Sequence, residues 1–169
     1  MEAAYIALGS NLQEPQRQLQ AGFAALARLP QTQLVAQSSL YRSTPVGYAD
    51  QPDFVNAVAA IHTELSPRAL LDALLTIERE HGRVRDVPNV PNVINGPRTL
   101  DLDIALYGER VVAEPGLSIP HPRMIERAFV MVPLVEIAPQ VQVPGHGSVL
   151  VLLARLDISG VSMLKPIVA

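Results

Sequence analysis

From Thr99 the chain alternates strictly between polar and apolar positions. Leu100, Leu102, Ile104 and Leu106 fall on one parity; Thr99, Asp101 and Asp103 fall on the other. A period of two predicts a strand, with the leucines in a core and both carboxylates leaving the opposite face. Upstream, residues 3–8 hardly alternate and read as a strand buried on both faces. Pro15 suits a first helical position, and Leu19, Gly22/Phe23, Leu26 and Leu29 then recur at helical spacing until Pro30. A second strand is predicted over about residues 34–41. A third covers residues 54–63, with Phe54, Asn56, Val58 and Ala60 on one face and Val55, Ala57, Ala59 and Ile61 on the other. Ser66-Pro67 reads as an N-cap with proline behind it, and Gly82 sits where a C′ glycine belongs. Between them Leu70, Leu71, Leu74, Leu75 and Ile77 mark an amphipathic helix, with Glu78 on or beside its apolar face.

The element order through residue 107 is strand, helix, strand, strand, helix, strand. That βαββαβ order predicts an α+β fold, the ferredoxin-like split βαβ arrangement with a mostly antiparallel sheet. Further on, residues 107–110 turn the chain into Val111-Val112, a predicted hairpin partner, and residues 117–124 read as extended and irregular. Residues 125–134 read as a helix carrying Arg127 and Phe129, stopped or kinked at Pro133. After it come a short strand from Val141, the loop 144–147 and a small helix from Ser148. These extra C-terminal helices would cover the second face of the sheet, giving three αβα layers. The length of 169 residues fits one domain over 1–169. Two stretches exclude regular structure: 43–52, with two prolines and a glycine, and 86–95, with its repeated Val-Pro-Asn. Loops of that kind beside a site are expected to act as lids.

A formal charge of −3 gives no global attraction to nucleic acid. There is no cysteine, so neither a disulfide framework nor a thiolate metal site is possible. No basic leader and no long apolar run is visible, which points to a cytoplasmic protein without a membrane segment. Lys165 is the sole lysine among thirteen basic residues. Arginine suits forked contacts to phosphate oxygens, and arginines crowd the neighbourhood of the two aspartates.

Two Asp on one strand face lie about 6.5–7 Å apart at Cα. Each can then hold one of two divalent ions lying ~3.5–4 Å apart, the arrangement used in phosphoryl chemistry. A sheet with one face in water would also accommodate them. Phe54 and Asn56, an aromatic and an amide sharing a face, can hold a flat heterocycle by stacking and hydrogen bonding; an edge-of-core Phe beside a solvated Asn is the plainer account. Glu78 allows a surface salt bridge or a ligand contact. Neither G-x-x-x-x-G-K-[ST] nor G-x-G-x-x-G occurs, so a bound nucleotide must rely on arginines and metal. Three readings follow: a phosphotransferase, a metal-dependent phosphohydrolase, and a non-catalytic ligand-sensing module.

Ala4-Tyr5-Ile6-Ala7-Leu8-Gly9-Ser10-Asn11-Leu12, Asp50-Gln51-Pro52-Asp53-Phe54-Val55-Asn56-Ala57 and Gly96-Pro97-Arg98-Thr99-Leu100-Asp101-Leu102-Asp103-Ile104 resemble the 6-hydroxymethyl-7,8-dihydropterin pyrophosphokinases of folate biosynthesis. Glu78 with Gly82-Arg83-Val84-Arg85, and Ile119-Pro120-His121-Pro122 with Arg127-Ala128-Phe129, extend the resemblance. It implies transfer of pyrophosphate from ATP to the pterin hydroxymethyl group, releasing AMP. It implies two Mg²⁺ ions on Asp101 and Asp103, with Arg83, Arg85 and Arg98 as further catalytic residues. Glu78, Arg85, Arg98, Ile104, Ser118, His121 and Arg127 would bind ATP. Ser43, Thr44, Pro45, Val46, Phe54, Asn56, Asp101 and Phe129 would bind the pterin, the two aromatic rings sandwiching it. The implied partners are these two small molecules, met by a monomer without nucleic acid or membrane. Where some relatives carry Trp and Tyr, this chain has Asn95 and Pro122.

Overall fold

In the computed structural model, which describes residues 1–12, 14–44, 52–82 and 99–164, β1 (Glu2–Ser10) lies inside a six-stranded sheet, between β4 (Phe54–Thr63) and β5 (Asp101–Tyr107). Both pairings are antiparallel. β2 (Thr32–Gln37) and β3 (Tyr41–Ser43) occupy successive halves of one position on the far side of β4. The single strand expected at 34–41 is therefore two. At the break, Ser38 N–H donates to the Val58 carbonyl and the Ser38 hydroxyl accepts from Val58 N–H, each at 2.9 Å. With β2 and β3 counted together, the order is that of the expected split βαβ unit.

α1 (Pro15–Ala27) and α2 (Pro67–Glu80) pack on one face of the sheet. The alternation of β4 puts Val55, Ala57, Ala59 and Ile61 under Leu19, Phe23 and Leu26 of α1 and Leu70 and Leu74 of α2. Burying each such leucine contributes ~1.5–3 kcal/mol, which outweighs the intrinsic helix preference of these segments. α2 begins as its sequence dictates: the Ser66 side chain accepts from Ala69 N–H at 3.1 Å. It ends at Gly82, whose φ of 84° is left-handed.

The second face carries α3 (Ala128–Ile137) and α4 (Val149–Ala154), packed through Val130, Met131, Leu134, Val149 and Leu152 onto Val58 and Leu106. Strict alternation would put Leu106 beside Leu102 and Ile104, on the α1/α2 face. A β-bulge moves it: Tyr5 pairs with Leu106 and Ile6 with Ile104, which leaves Ala105 as an extra residue. The parity flips there, so Ala105 and Leu106 share the α3 face while Tyr107 returns to the α1/α2 face.

Three further expectations change. Val111-Val112 does not pair back onto β5; β6 (Val112–Glu114) forms its hairpin with β7 (Leu117–Ile119), a segment expected to be irregular. The helix expected at 125–134 is a 3₁₀ turn (Met124–Glu126) and then α3, separated by Arg127 in extended conformation. Pro133 lies buried within α3, which runs on to Ile137. After the small hairpin of β8 (Gln142–Val143) and β9 (Gly147–Ser148), the chain passes α4 and returns to the main sheet. There β10 (Val161–Met163) pairs with β3.

α3 is tied to the broken strand at its C-terminal end. Glu136 accepts from the Tyr41 hydroxyl at 2.5 Å and from Ser39 N–H and hydroxyl at 3.0 and 2.9 Å. Burial pushes the Tyr41 hydroxyl well above the ordinary tyrosine range, and the hydrogen bond and charge of Glu136 add to this.

Candidate active site

One transverse row of the sheet gathers much of the expected site. Tyr41 of β3 pairs with Asn56 of β4, Asn56 with Gly9 of β1, and Gly9 with Asp101 of β5. Directly paired residues project to the same face, here the α3 face. Asn56 and Asp101 therefore stand two strands, about 9.5 Å, apart, with a glycine between them. Gly9 leaves room for the amide: a Cβ there would lie 3.1 Å from Asn56 Nδ2, a tight contact that the amide would have to yield to. That contact also shows that the amide nitrogen faces Gly9. The carbonyl end is taken, since the Ser43 hydroxyl donates to Asn56 Oδ1 at 2.5 Å, and both residues are buried. Phe54 pairs with Ser43 and lies half-buried on the same face.

Asp103 pairs with Ala7 and shares the face of Asp101. Both are partly exposed, and their strand partners on β1 are a glycine and an alanine, which bring no bulky side chain from that strand. The backbone between them is held from beneath. Glu78, 2% exposed, accepts from Leu102 N–H at 2.7 Å. Its carboxylate thus approaches β5 from the α2 side of the sheet, opposite the aspartates.

α3 roofs the other side. The Arg127 guanidinium lies 5.6 Å over the Phe129 ring, a cation–π contact. Burial lowers its pKa from the ordinary value; Asp103 and Asp101 oppose that shift, while Arg123 adds to it. His121 N–H donates to the carbonyl of the bulged Ala105 at 3.0 Å, which fixes that segment against the edge of β5. Burial holds the imidazole below its usual pKa; Arg127 and Arg123 push the same way and Asp101 opposes them. These mutual influences put Asp101, Asp103, His121 and Arg127 in one electrostatic neighbourhood.

Two clefts flank the group. One, of about 260 Å³, is lined by Leu71, Asp103, Ile104, Ser118 and His121 together with the β6–β7 turn. It wraps around β5, an edge strand of the sheet, so it receives Asp103 from one face and Ile104 from the other. The second, of about 210 Å³, is lined by Ser43, Thr44, Arg127 and Phe129, with Asp157 and Gly160 from the C-terminal segment. The structure thus brings together Ile104, Ser118 and His121 in one cleft and Ser43, Thr44 and Phe129 in the other. Pro45, Val46, Arg83, Arg85, Arg98 and residues 45–51 and 86–95 of the two expected lid loops lie outside the described residues; Ser43, expected in the first loop, ends β3.

Sequence reasoning missed Gly9, Leu71 and the C-terminal wall. Gly9 was legible as a glycine ending β1, but its place against Asn56 arises only from cross-strand register. Leu71 passed for part of the apolar stripe of α2, and Gly160 carries no local signal.

Residues 5–139 match the family described as 7,8-dihydro-6-hydroxymethylpterin-pyrophosphokinase (HPPK). The chain belongs to this family. Among its relatives, the 2-amino-4-hydroxy-6-hydroxymethyldihydropteridine pyrophosphokinase of Pseudomonas aeruginosa is 51% identical over 164 residues, 97% of this chain and 98% of the relative. The pyrophosphokinase of the same name from Haemophilus influenzae is 54% identical over 144 residues, 85% of this chain and 86% of that one. A Plasmodium falciparum HPPK-DHPS structure superposes with a TM-score of 0.70 at 12% identity. The superposition covers 91% of this chain and 45% of the Plasmodium chain, so this chain spans under half of that protein's length; the likeness is one of fold. Membership in the HPPK family does not favour the phosphohydrolase and sensing-module readings.

Proposed function

We propose that this chain transfers pyrophosphate from ATP to the hydroxymethyl oxygen of 6-hydroxymethyl-7,8-dihydropterin and releases AMP, a step of folate biosynthesis. The observation that carries the proposal is the row Asn56–Gly9–Asp101. It sets an amide-lined floor for a flat ring directly beside a pair of carboxylates. The pterin lies on Gly9, reads the Asn56 Nδ2 donors and the backbone of residues 43–46, and is sandwiched by Phe54 and Phe129. ATP occupies the cleft around β5. Ile104 and Ser118 line it at the base, His121 and Arg127 face the phosphates, and Arg83, Arg85 and Arg98 complete the cationic side. Glu78 serves this site through the Leu102 backbone.

The donor set fits magnesium. Among the described residues no group of three or more His, Cys, Asp or Glu is placed to hold a metal. Mg²⁺ is typically bound by one or two carboxylates plus substrate phosphates and water, and Asp101 and Asp103 supply that share for two ions. When bound, the ions neutralise triphosphate charge at the attacked and leaving positions. The chain's own residues place the two substrates in line and exclude water. The hydroxymethyl oxygen bonds to the β-phosphorus, the bond from that phosphorus to the α–β bridging oxygen breaks, AMP leaves with that oxygen, and the hydroxyl proton passes to solvent.

Chromatography after incubation with ATP, Mg²⁺ and the pterin tests this: AMP appears one-for-one with a pterin diphosphate. ADP with a pterin monophosphate, or inorganic phosphate with unchanged pterin, contradicts it. Phe54→Ala and Asn56→Ala should weaken pterin binding far more than nucleotide binding. Each loses about 1 kcal/mol or more, from lost stacking or an unpaired ring polar group. Calorimetric titration with each ligand separately checks the difference; equal losses would point to general loosening of β4.

The same reading makes the chain a single-domain monomer acting in the cytoplasm on small molecules. In support of one domain, β10 returns from the C-terminal segment to the main sheet. Among the described residues no helix is long and apolar enough to cross a membrane.

A further inference from the structure

β10 takes no part in the assignments above, yet it sits against one of the residues that read the acceptor. It pairs with β3 so that Val161 faces Ser43, Ser162 faces Arg42 and Met163 faces Tyr41. Leu164 N–H donates to the Leu40 carbonyl at 2.9 Å. By the alternation of antiparallel ladders, Ser162 and Arg42 are then the next hydrogen-bonded pair, and Val161 and Ser43 form a close pair without ladder bonds. Immediately before the strand, Gly160 packs on Thr44: a Cβ on Gly160 would lie 3.3 Å from Thr44 Oγ1. Gly160 and Val161 also line the same cavity as Ser43, Thr44 and Phe129.

β3 has three residues, and one side of it is taken by β4. A strand that short, with its other side open, is of the kind that frays. Fraying would matter most at Ser43, its last residue. The Ser43 hydroxyl occupies Asn56 Oδ1 at 2.5 Å, so that Nδ2 faces Gly9 and the ring site.

We infer that β10 is a positioning strand for acceptor recognition. By clamping β3 it sets the Ser43–Asn56 pair and with it the affinity for the pterin; Gly160 and Ser162 are its positioning residues. The nucleotide cleft lies around β5, with β4 and β1 between it and β3; Arg127 is shared with the cavity beside the clamp. The inference rests on the assignment of the pterin to the Asn56 row.

Full-length Gly160→Val, Gly160→Ala, Ser162→Pro and Ser162→Ala are titrated separately with 6-hydroxymethyl-7,8-dihydropterin and with Mg²⁺ and a non-hydrolysable ATP analogue. Valine at 160 pushes Thr44 away and proline at 162 removes a ladder donor. Both should lower pterin affinity about three- to tenfold, the range of one hydrogen bond, and leave analogue affinity unchanged. In turnover, KM for the pterin rises while kcat at saturating pterin is kept. Gly160→Ala shows a smaller shift of the same sign, which preserves the test if the bulkier variants do not fold, and Ser162→Ala behaves as wild type. Adding Ser43→Ala to Gly160→Val should cost less than the two separate losses together, because both act through one pair. Equal loss for both ligands, or no loss for either, overturns the inference. A wild-type chain that binds the analogue and no pterin overturns the acceptor assignment instead.

Discussion

Asp101→Asn and Asp103→Asn each lower turnover by about 10³-fold or more at saturating Mg²⁺ and both substrates. That factor corresponds to ~4 kcal/mol, within the several kcal/mol of transition-state charge stabilisation that a bound cation supplies. Asparagine keeps the shape of each side chain and one acceptor oxygen but removes the charge that makes it a ligand for a hard cation. The fold should hardly notice. Both positions are partly exposed on one strand face, where two like charges repel, so losing one relieves as much as it removes. AMP formation followed by chromatography, beside a thermal unfolding curve, checks both halves. A variant that retained wild-type turnover would leave its carboxylate without a part in the reaction.

Glu78→Ala has its largest effect on stability. The carboxylate is 2% exposed and accepts from Leu102 N–H at 2.7 Å, and Leu102 is the residue between the two aspartates. Alanine leaves that buried N–H without this acceptor and opens a cavity beneath β5. Together these lower the unfolding free energy by about 2–4 kcal/mol. Glu78→Gln keeps an acceptor oxygen and most of the volume, so it loses less. Urea unfolding of the three proteins gives the ranking, and an Ala variant as stable as the parent would show that Leu102 finds another acceptor. A fall in kcat should accompany the loss, since the two aspartates are carried by the backbone that Glu78 holds.

The legible parts of this chain are those in which local pattern and tertiary environment agree. The alternation of 54–61 put Val55, Ala57, Ala59 and Ile61 on the α1/α2 face and Val58 on the α3 face, where they lie, and Ser66, Pro67 and Gly82 bounded α2 through their own backbone preferences. Asp101, Asp103, Asn56 and Phe54 could be singled out because polar or aromatic residues at fixed parity are conspicuous in strands. Other features depend on partners distant in sequence. Arg127 breaks the helix expected at 125–134 by adopting an extended backbone between the 3₁₀ turn and α3. Val112 pairs with Ile119 instead of returning to β5, a choice that hydrophobicity alone does not make. Glu78 showed in sequence as an acid near an apolar stripe. Its partner, a backbone amide 24 residues away, could not be read there. β10 was invisible for a similar reason: three residues of modest character become a strand because β3 offers an open side.

The bulge at Ala105 decides which changes this strand accepts. Upstream of it the chain is phased to the carboxylates; downstream it is phased to Leu106 and Tyr107, and the two phases disagree by one step. What position 105 specifies is a count more than a chemical type. Its backbone carbonyl is the acceptor for His121 N–H, and a carbonyl is available from any amino acid. Substitutions there should be tolerated so long as the side chain fits its buried setting, whereas loss of that residue would restore regular alternation, keep Leu106 on the α3 face and take the anchor from the histidine. An alignment that closes a gap at this point aligns letters while misaligning geometry. Between the second aspartate and the tyrosine, the extra residue matters for the acceptor it adds, not for the face that Leu106 takes.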